Sequence, residues 1–129
     1  MEELFKKYNA AWDALNPRAI ADLYRLPCAI SDSDGVNVFC DNLSLTKKLT
    51  KNCEDMASFG YLEAKFNILN QHSLDTDQVA VTIGWRIRTA SQDIEFRALY
   101  ICHQIEEKWY VYSANVYRGS FNNAYTTGD

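Results

Sequence analysis

Residues 5–35, FKKYNAAWDALNPRAIADLYRLPCAISDSDG, decide the fold. Leu4, Phe5, Tyr8, Ala11, Trp12 and Leu15 recur at helical spacing, which predicts a helix with one broad apolar face. Asn16 is placed to cap a second helix, and Pro17 suits its first position, where an N–H would have no intrahelical partner. Ile20, Leu23 and Tyr24 supply the buried side of that helix. Leu26-Pro27 then demands extended backbone and opens a strand. Asp34-Gly35 predicts a tight turn joining residues 28–31 to residues 36–39 as a hairpin.

Working outward, Asp41 or Asn42 can cap a third helix running to about Ala57, with Leu45, Leu49, Cys53 and Met56 on its buried side and Gly60 after its end. Long strands are predicted over residues 61–70, 79–90, 94–105 and 109–117, joined by short polar turns. Helices first and an antiparallel meander afterwards indicate an α+β fold. Val79, Val81, Ile83, Trp85 and Ile87 share one strand face. The next strand is apolar on both faces, with Phe96, Ala98, Tyr100 and Cys102 opposite Leu99, Ile101 and Ile105. The last strand sets Trp109 and Val111 opposite Tyr110, Tyr112 and Val116. A sheet that is apolar on both faces needs cover on both, and the helices cover one. The other face is expected to meet a second copy of the chain as a homodimer.

A chain of 129 residues suits one domain, read here as residues 1–117 with a polar tail at 118–129, RGSFNNAYTTGD. Phe121 and Tyr125 are the tail residues that could pack back or close a partner's pocket. The net charge of −4, with lysines and arginines in nothing larger than pairs, argues against a nucleic-acid partner. Met1 leads directly into the amphipathic helix and no apolar run approaches membrane-spanning length, so a cytoplasmic protein without membrane association is expected. Cys28, Cys40, Cys53 and Cys102 lack C-x-x-C spacing and read as buried thiols, not as a metal site. No phosphate-binding glycine loop, G-x-S-x-G elbow or H-E-x-x-H motif occurs, and no cofactor is expected.

The order of an aromatic in helix one, a short corner, I-A-D-L-Y and a strand carrying acids resembles the opening of the nuclear-transport-factor-2-like superfamily. That group includes ketosteroid isomerases, polyketide cyclases, dehydratases and non-enzymatic domains. The resemblance implies three N-terminal helices packed on a curved antiparallel sheet that forms a cone with a cavity. It also implies a sheet-to-sheet dimer. Aligned on the ketosteroid isomerase pattern, Tyr8 falls where those enzymes keep the tyrosine that stabilises an enolate oxygen, and Asp32 falls where they keep the proton-shuttling carboxylate. A carboxylate in an apolar cavity is a usable base, and a phenol can donate to developing negative charge. The second acid of those isomerases has no counterpart near Tyr100 or Ile101, unless Tyr100 acts as the donor. Beside Ser33-Asp34-Gly35, Asp32 can equally serve its own turn, and Tyr8 can equally be a core tyrosine.

His103 reads either as a general base, in the manner of scytalone dehydratase relatives, or as an interface histidine. Arg86, Arg88 and Arg97 read as partners for Glu95 or as ligands for an acidic molecule. Trp12, Tyr24, Trp85, Tyr100, Ser113 and Asn115 are expected to line the pocket, with Ser113 and Asn115 as its hydrogen-bonding groups. The functional expectation is a domain that binds a small apolar or aromatic molecule, with cofactor-free isomerisation, cyclisation or dehydration as its catalytic form. The alternative is a non-catalytic dimeric domain that binds a ligand or a protein, its cavity filled by Trp12, Tyr24, Phe66 and Trp85. A protein-assembly module is a third reading.

Overall fold

The computed structural model describes residues 1–117, so the tail at 118–129 lies outside the described residues. The first helix, α1 (Glu2–Asp13), buries Leu4, Phe5, Tyr8 and Ala11, the apolar stripe read from the sequence. The Asn16 side chain accepts from the Ala19 N–H at 3.1 Å and caps α2 (Pro17–Ala21), with Pro17 at its first turn. This helix is only 5 residues long, shorter than its apolar spacing suggests. Leu23 leaves it because its carbonyl accepts from the Val111 N–H at 2.8 Å, and Tyr24 already belongs to a strand. Long-range pairing here outweighs local periodicity.

That strand, β1 (Tyr24–Asp32), turns at Asp34-Gly35 into β2 (Gly35–Phe39). Gly35 has φ +99°, a conformation open to glycine and costly for other residues. The longest helix, α3 (Asn42–Ser58), is capped by the Asp41 carboxylate, which accepts from the Ser44 N–H at 2.8 Å, and it buries Leu45, Leu49, Cys53 and Met56. Gly60 stops it at φ +80°, and a Cβ there would come within 2.8 Å of the Ala90 Cβ. The chain then forms β3 (Tyr61–Asp75), β4 (Gln78–Thr89), β5 (Asp93–Ile105) and β6 (Lys108–Tyr117). Strand β3 runs past residue 70 because its polar second half keeps pairing with β4, as in His72 with Ala80 and Ser73 with Val79. Backbone pairing needs no apolar alternation, so this extension is silent in a hydropathy pattern.

Among the described residues the six strands make one sheet in the order β2-β1-β6-β5-β4-β3, with the two outer strands unpaired to each other, so the sheet is curved but unclosed. The pairs are antiparallel except β1 with β6, which are parallel. The expected meander is therefore correct from β3 to β6, but the sheet is mixed. The helix-facing side carries Val79, Val81, Ile83, Trp85 and Ile87 on β4 and Ala98, Tyr100 and Cys102 on β5, all buried in the core with the helices. Of the four cysteines Cys28, Cys53 and Cys102 are buried as expected, but Cys40, in the link between β2 and α3, is exposed. The other side carries Leu99, Ile101 and His103. On β6 the register shifts: Cys102 pairs with Val111, but Ile101 pairs with Ser113, leaving Tyr112 as an extra residue. This bulge reverses the alternation for the rest of the strand. Among the described residues, no helix is long and apolar enough to cross a membrane.

Candidate functional site

Helix α1 packs on the core side of the sheet and places Tyr8 among aromatic rings from three strands. Ring centroids separate Tyr8 from Tyr24 by 6.1 Å, from Trp85 by 6.0 Å and from Tyr100 by 5.7 Å. The Tyr8 and Tyr24 hydroxyls share a 2.8 Å hydrogen bond in which either can donate, and the Trp85 indole N–H donates to the Tyr100 hydroxyl at 2.9 Å. Beside this cluster opens an apolar cleft of about 80 Å³, lined by Tyr8, Trp12, Met56, Tyr61, Trp85 and Tyr100 among others. Burial raises the pKa of Tyr8, and hydrogen bonds from Tyr24, Trp12 and Tyr100 oppose that rise. Tyr24 and Tyr100 are driven well above the usual phenol value, first by burial and then by the neighbouring phenols. At neutral pH these groups are hydrogen-bond donors, not bases.

An indole donates and cannot accept, while a phenol brings one proton and one oxygen. The Trp85 indole therefore fills one acceptor place on the Tyr100 oxygen and leaves that hydroxyl its own proton to donate, while Tyr8 and Tyr24 use one O–H between them. Within the Tyr8–Tyr24 pair either hydroxyl can be the donor, and the O–H not used between them lies on the other phenol. Tyr8 and Tyr100 both line the cleft.

The other sequence candidates stand elsewhere. Asp32 shares the core-facing side of β1 with Cys28 and Ile30, but its carboxylate is engaged: Oδ1 accepts from the Asp34 N–H at 2.9 Å, and Oδ2 lies 3.0 Å from Lys48 Nζ. It does not line the cleft. Ser113 and Asn115 pair with Ile101 and Leu99, so the bulge at Tyr112 puts them on the sheet face opposite Tyr100, not in line with Val111 as the unbroken alternation suggests. The Asn115 amide donates to the Leu99 carbonyl at 3.1 Å. His103 is on that same outer face, stacked on Tyr112. Arg86 pairs with Glu95 at 2.7 Å and Arg88 with Glu63 at 3.4 Å, both on exposed surface. Tyr8, Trp12, Trp85 and Tyr100 are thus brought together at the cleft, with Tyr24 bonded behind them. Among the described residues, no group of three or more His, Cys, Asp or Glu side chains could hold a metal ion.

A family model described as NTF2-like protein (DUF6841) matches residues 1–118. The chain belongs to this NTF2-like family. Solved structures agree on the fold. An NTF-2 like protein of unknown function from Shewanella oneidensis MR-1 superposes with a TM-score of 0.75 at 17% identity, over 89% of this chain and 93% of that one. A ketosteroid isomerase-like protein from Erwinia carotovora atroseptica SCRI1043 gives 0.69 at 10% identity, over 89% and 90%. A domain of unknown function with a cystatin-like fold from Nostoc punctiforme PCC 73102 gives 0.72 at 9%, over 88% and 72%. At such identities the likeness concerns the fold alone. No curated protein matches the chain.

Within this NTF2-like domain two site-shaping residues carry no sequence signal. Asp13, the last residue of α1, accepts from the Tyr61 hydroxyl at 2.7 Å and from the Ala64 N–H at 2.9 Å, fastening the helix to β3 at the cleft. Burial, and then the Asp13 carboxylate, raise the Tyr61 pKa. Lys48 fastens α3 to the β1–β2 turn. Each pairing joins residues far apart in sequence, and short-range spacing does not reveal it.

Proposed function

We propose that this chain is a ligand-binding NTF2-like domain whose cleft takes the oxygen-bearing end of a small, largely apolar molecule. One observation carries the reading: a donor-rich phenol and indole cluster lines the cleft, and no carboxylate or imidazole among the described residues lines it with them. With Tyr24 as the donor in its bond to Tyr8, the Tyr8 O–H is spare, and a carbonyl or ether oxygen is its complement in apolar surroundings. The cleft of about 80 Å³ is roughly half the ~150 Å³ that accommodates benzene in an engineered protein cavity. It suits a small terminal group, with the rest of the ligand passing over half-buried Trp12, Phe96 and Val116. Isomerase, cyclase or dehydratase chemistry would require a free base, and Asp32 is held by Lys48 and by its own turn. The geometry therefore favours binding over catalysis.

A screen of small cyclic ketones and ethers, read through tryptophan fluorescence, tests the assignment, because Trp12 and Trp85 both line the cleft. For a ligand found in this way, Tyr8→Phe is expected to weaken binding about tenfold, the loss of roughly one good hydrogen bond, while Asp32→Asn leaves binding unchanged. Equal affinity in Tyr8→Phe would overturn the role given to the phenol. Turnover of the ligand that disappears in Asp32→Asn would restore the catalytic reading.

A further inference from the structure

The outer face of the sheet holds a second polar constellation, separated from the cleft by the sheet itself. Arg25 on β1 places Nη1 3.2 Å from Nδ1 of His103 on β5. A guanidinium only donates, so His103 accepts through Nδ1 and is neutral in this arrangement. The imidazole stacks on Tyr112 of β6 with ring centroids 4.5 Å apart and planes 12° from parallel, and the guanidinium carbon lies 5.8 Å from the same ring's centroid. Three strands thus fix the cluster.

Its charge is unbalanced. Among the described residues Arg25 forms no ion pair, and its Nε is buried without an acceptor. A charged donor in a half-buried place is stabilised by an acceptor, and a planar carboxylate matches the edge of a guanidinium. One guanidinium beside a neutral imidazole carries a single positive charge, which suits a monoanion.

We propose that Arg25 and His103 form a binding site for the carboxylate of a small organic acid on the outer face of the sheet. The site is independent of the cleft. Its affinity rises as His103 takes up a proton, because protonation ends the Arg25–His103 hydrogen bond and sets two cations side by side. The groups facing His103 are Arg25 on β1, Gln78 across the ladder on β4, Tyr110 across the ladder and Tyr112 stacked from β6, and Asp77 in the β3–β4 turn. Burial first and Arg25 second lower the His103 pKa, while Asp77 raises it. A bound carboxylate adds a second negative charge and must raise it further, since proton and anion binding are reciprocally linked.

The chain has 2 histidines, so an NMR titration of the full protein resolves His103 with exposed His72 as an internal reference. When sodium acetate replaces sodium chloride at constant ionic strength, the His103 midpoint is expected to rise by about half a unit or more while His72 stays put. In Arg25→Gln the acetate-free midpoint should lie higher, because a repelling charge is gone, and the acetate response should vanish. Arg25→Lys, which keeps the charge and loses the fork, should respond more weakly than wild type. Equal movement of both histidines, or an undiminished response in Arg25→Gln, would overturn the proposal. So would no response at all, the result if only water sits at Nε. A His103 midpoint that climbs with protein concentration and ignores acetate would overturn the small-acid form and assign the carboxylate to a second copy.

Discussion

Phe5→Ala is expected to remove about 3–5 kcal/mol of folding stability, the range for deleting a fully buried aromatic ring. The Phe5 ring is completely buried, with centroids 4.8 Å from Tyr100, 5.7 Å from Tyr8 and 6.4 Å from Phe66. Through it α1 packs on both β5 and β3, beside the Tyr8–Tyr100 contact and the Asp13 bonds to β3. The loss comprises the transfer free energy of the ring, the cavity left behind and the edge-on and tilted aromatic contacts. Set against the ~5–15 kcal/mol by which a domain is typically stable, one substitution consumes much of the margin. Urea unfolding followed by circular dichroism measures it: the midpoint should fall sharply with little change in slope. Phe5→Leu, which refills most of the space, should cost far less. A midpoint shift in Phe5→Ala equivalent to less than ~1 kcal/mol would mean that α1 is not anchored by this ring. Tyr8 is the next aromatic on the same helix face, so the variant should also loosen the cleft and weaken any ligand bound there.

The same residues show what a sequence can and cannot disclose. Phe5 and Tyr8 sit where helical spacing predicts, and the buried face of α3 at Leu45, Leu49, Cys53 and Met56 follows from its periodicity alone. The single-face run from Val79 to Ile87 likewise follows from the two-residue period of a strand. These are local patterns imposed by burial. The parallel pairing of β1 with β6 is not local, and it takes Tyr24 out of the helix in which spacing places it. Nor is a bulge visible in hydropathy: one extra residue at Tyr112 sends Ser113 and Asn115 to the face opposite Tyr100. Candidate chemistry depends on exactly such pairings. Arg25 finds His103 across 78 positions of sequence, and Asp32 finds Lys48 across 16. Residue type suggested what Asp32 could do; its neighbours decide what it is free to do.

Lys48→Met tests that last point and is expected to cost about 2–3 kcal/mol at neutral pH, somewhat below the ~3–5 kcal/mol for breaking a fully buried pair. The Lys48 side chain is 8% exposed and Asp32 14%, whereas Asp34 is 45% exposed and water relieves part of its loss. Methionine keeps the apolar stem and removes the ammonium that lies 3.0 Å from Asp32 and 2.8 Å from Asp34. Two neighbouring carboxylates then face each other in one turn with no counter-charge between them. The pH dependence has a definite sign. Lys48, by hydrogen bond and then by charge, holds the Asp34 carboxyl below its usual range. A depressed folded-state pKa contributes stability that is fully present above the unfolded value of about 3.9 and is lost as pH falls through the folded value. Wild type carries that contribution and the variant does not. The gap between them should therefore be widest near neutrality and narrow below about pH 4. Denaturation midpoints that run parallel from neutral to acid pH would show that the clamp contributes nothing through charge. The variant also frees the Asp32 carboxylate from its cation while leaving the phenol cluster in place. If Asp32 were a base restrained only by Lys48, Lys48→Met would gain proton-transfer activity on a bound ketone. On the reading advanced for the cleft, it gains none and is simply less stable.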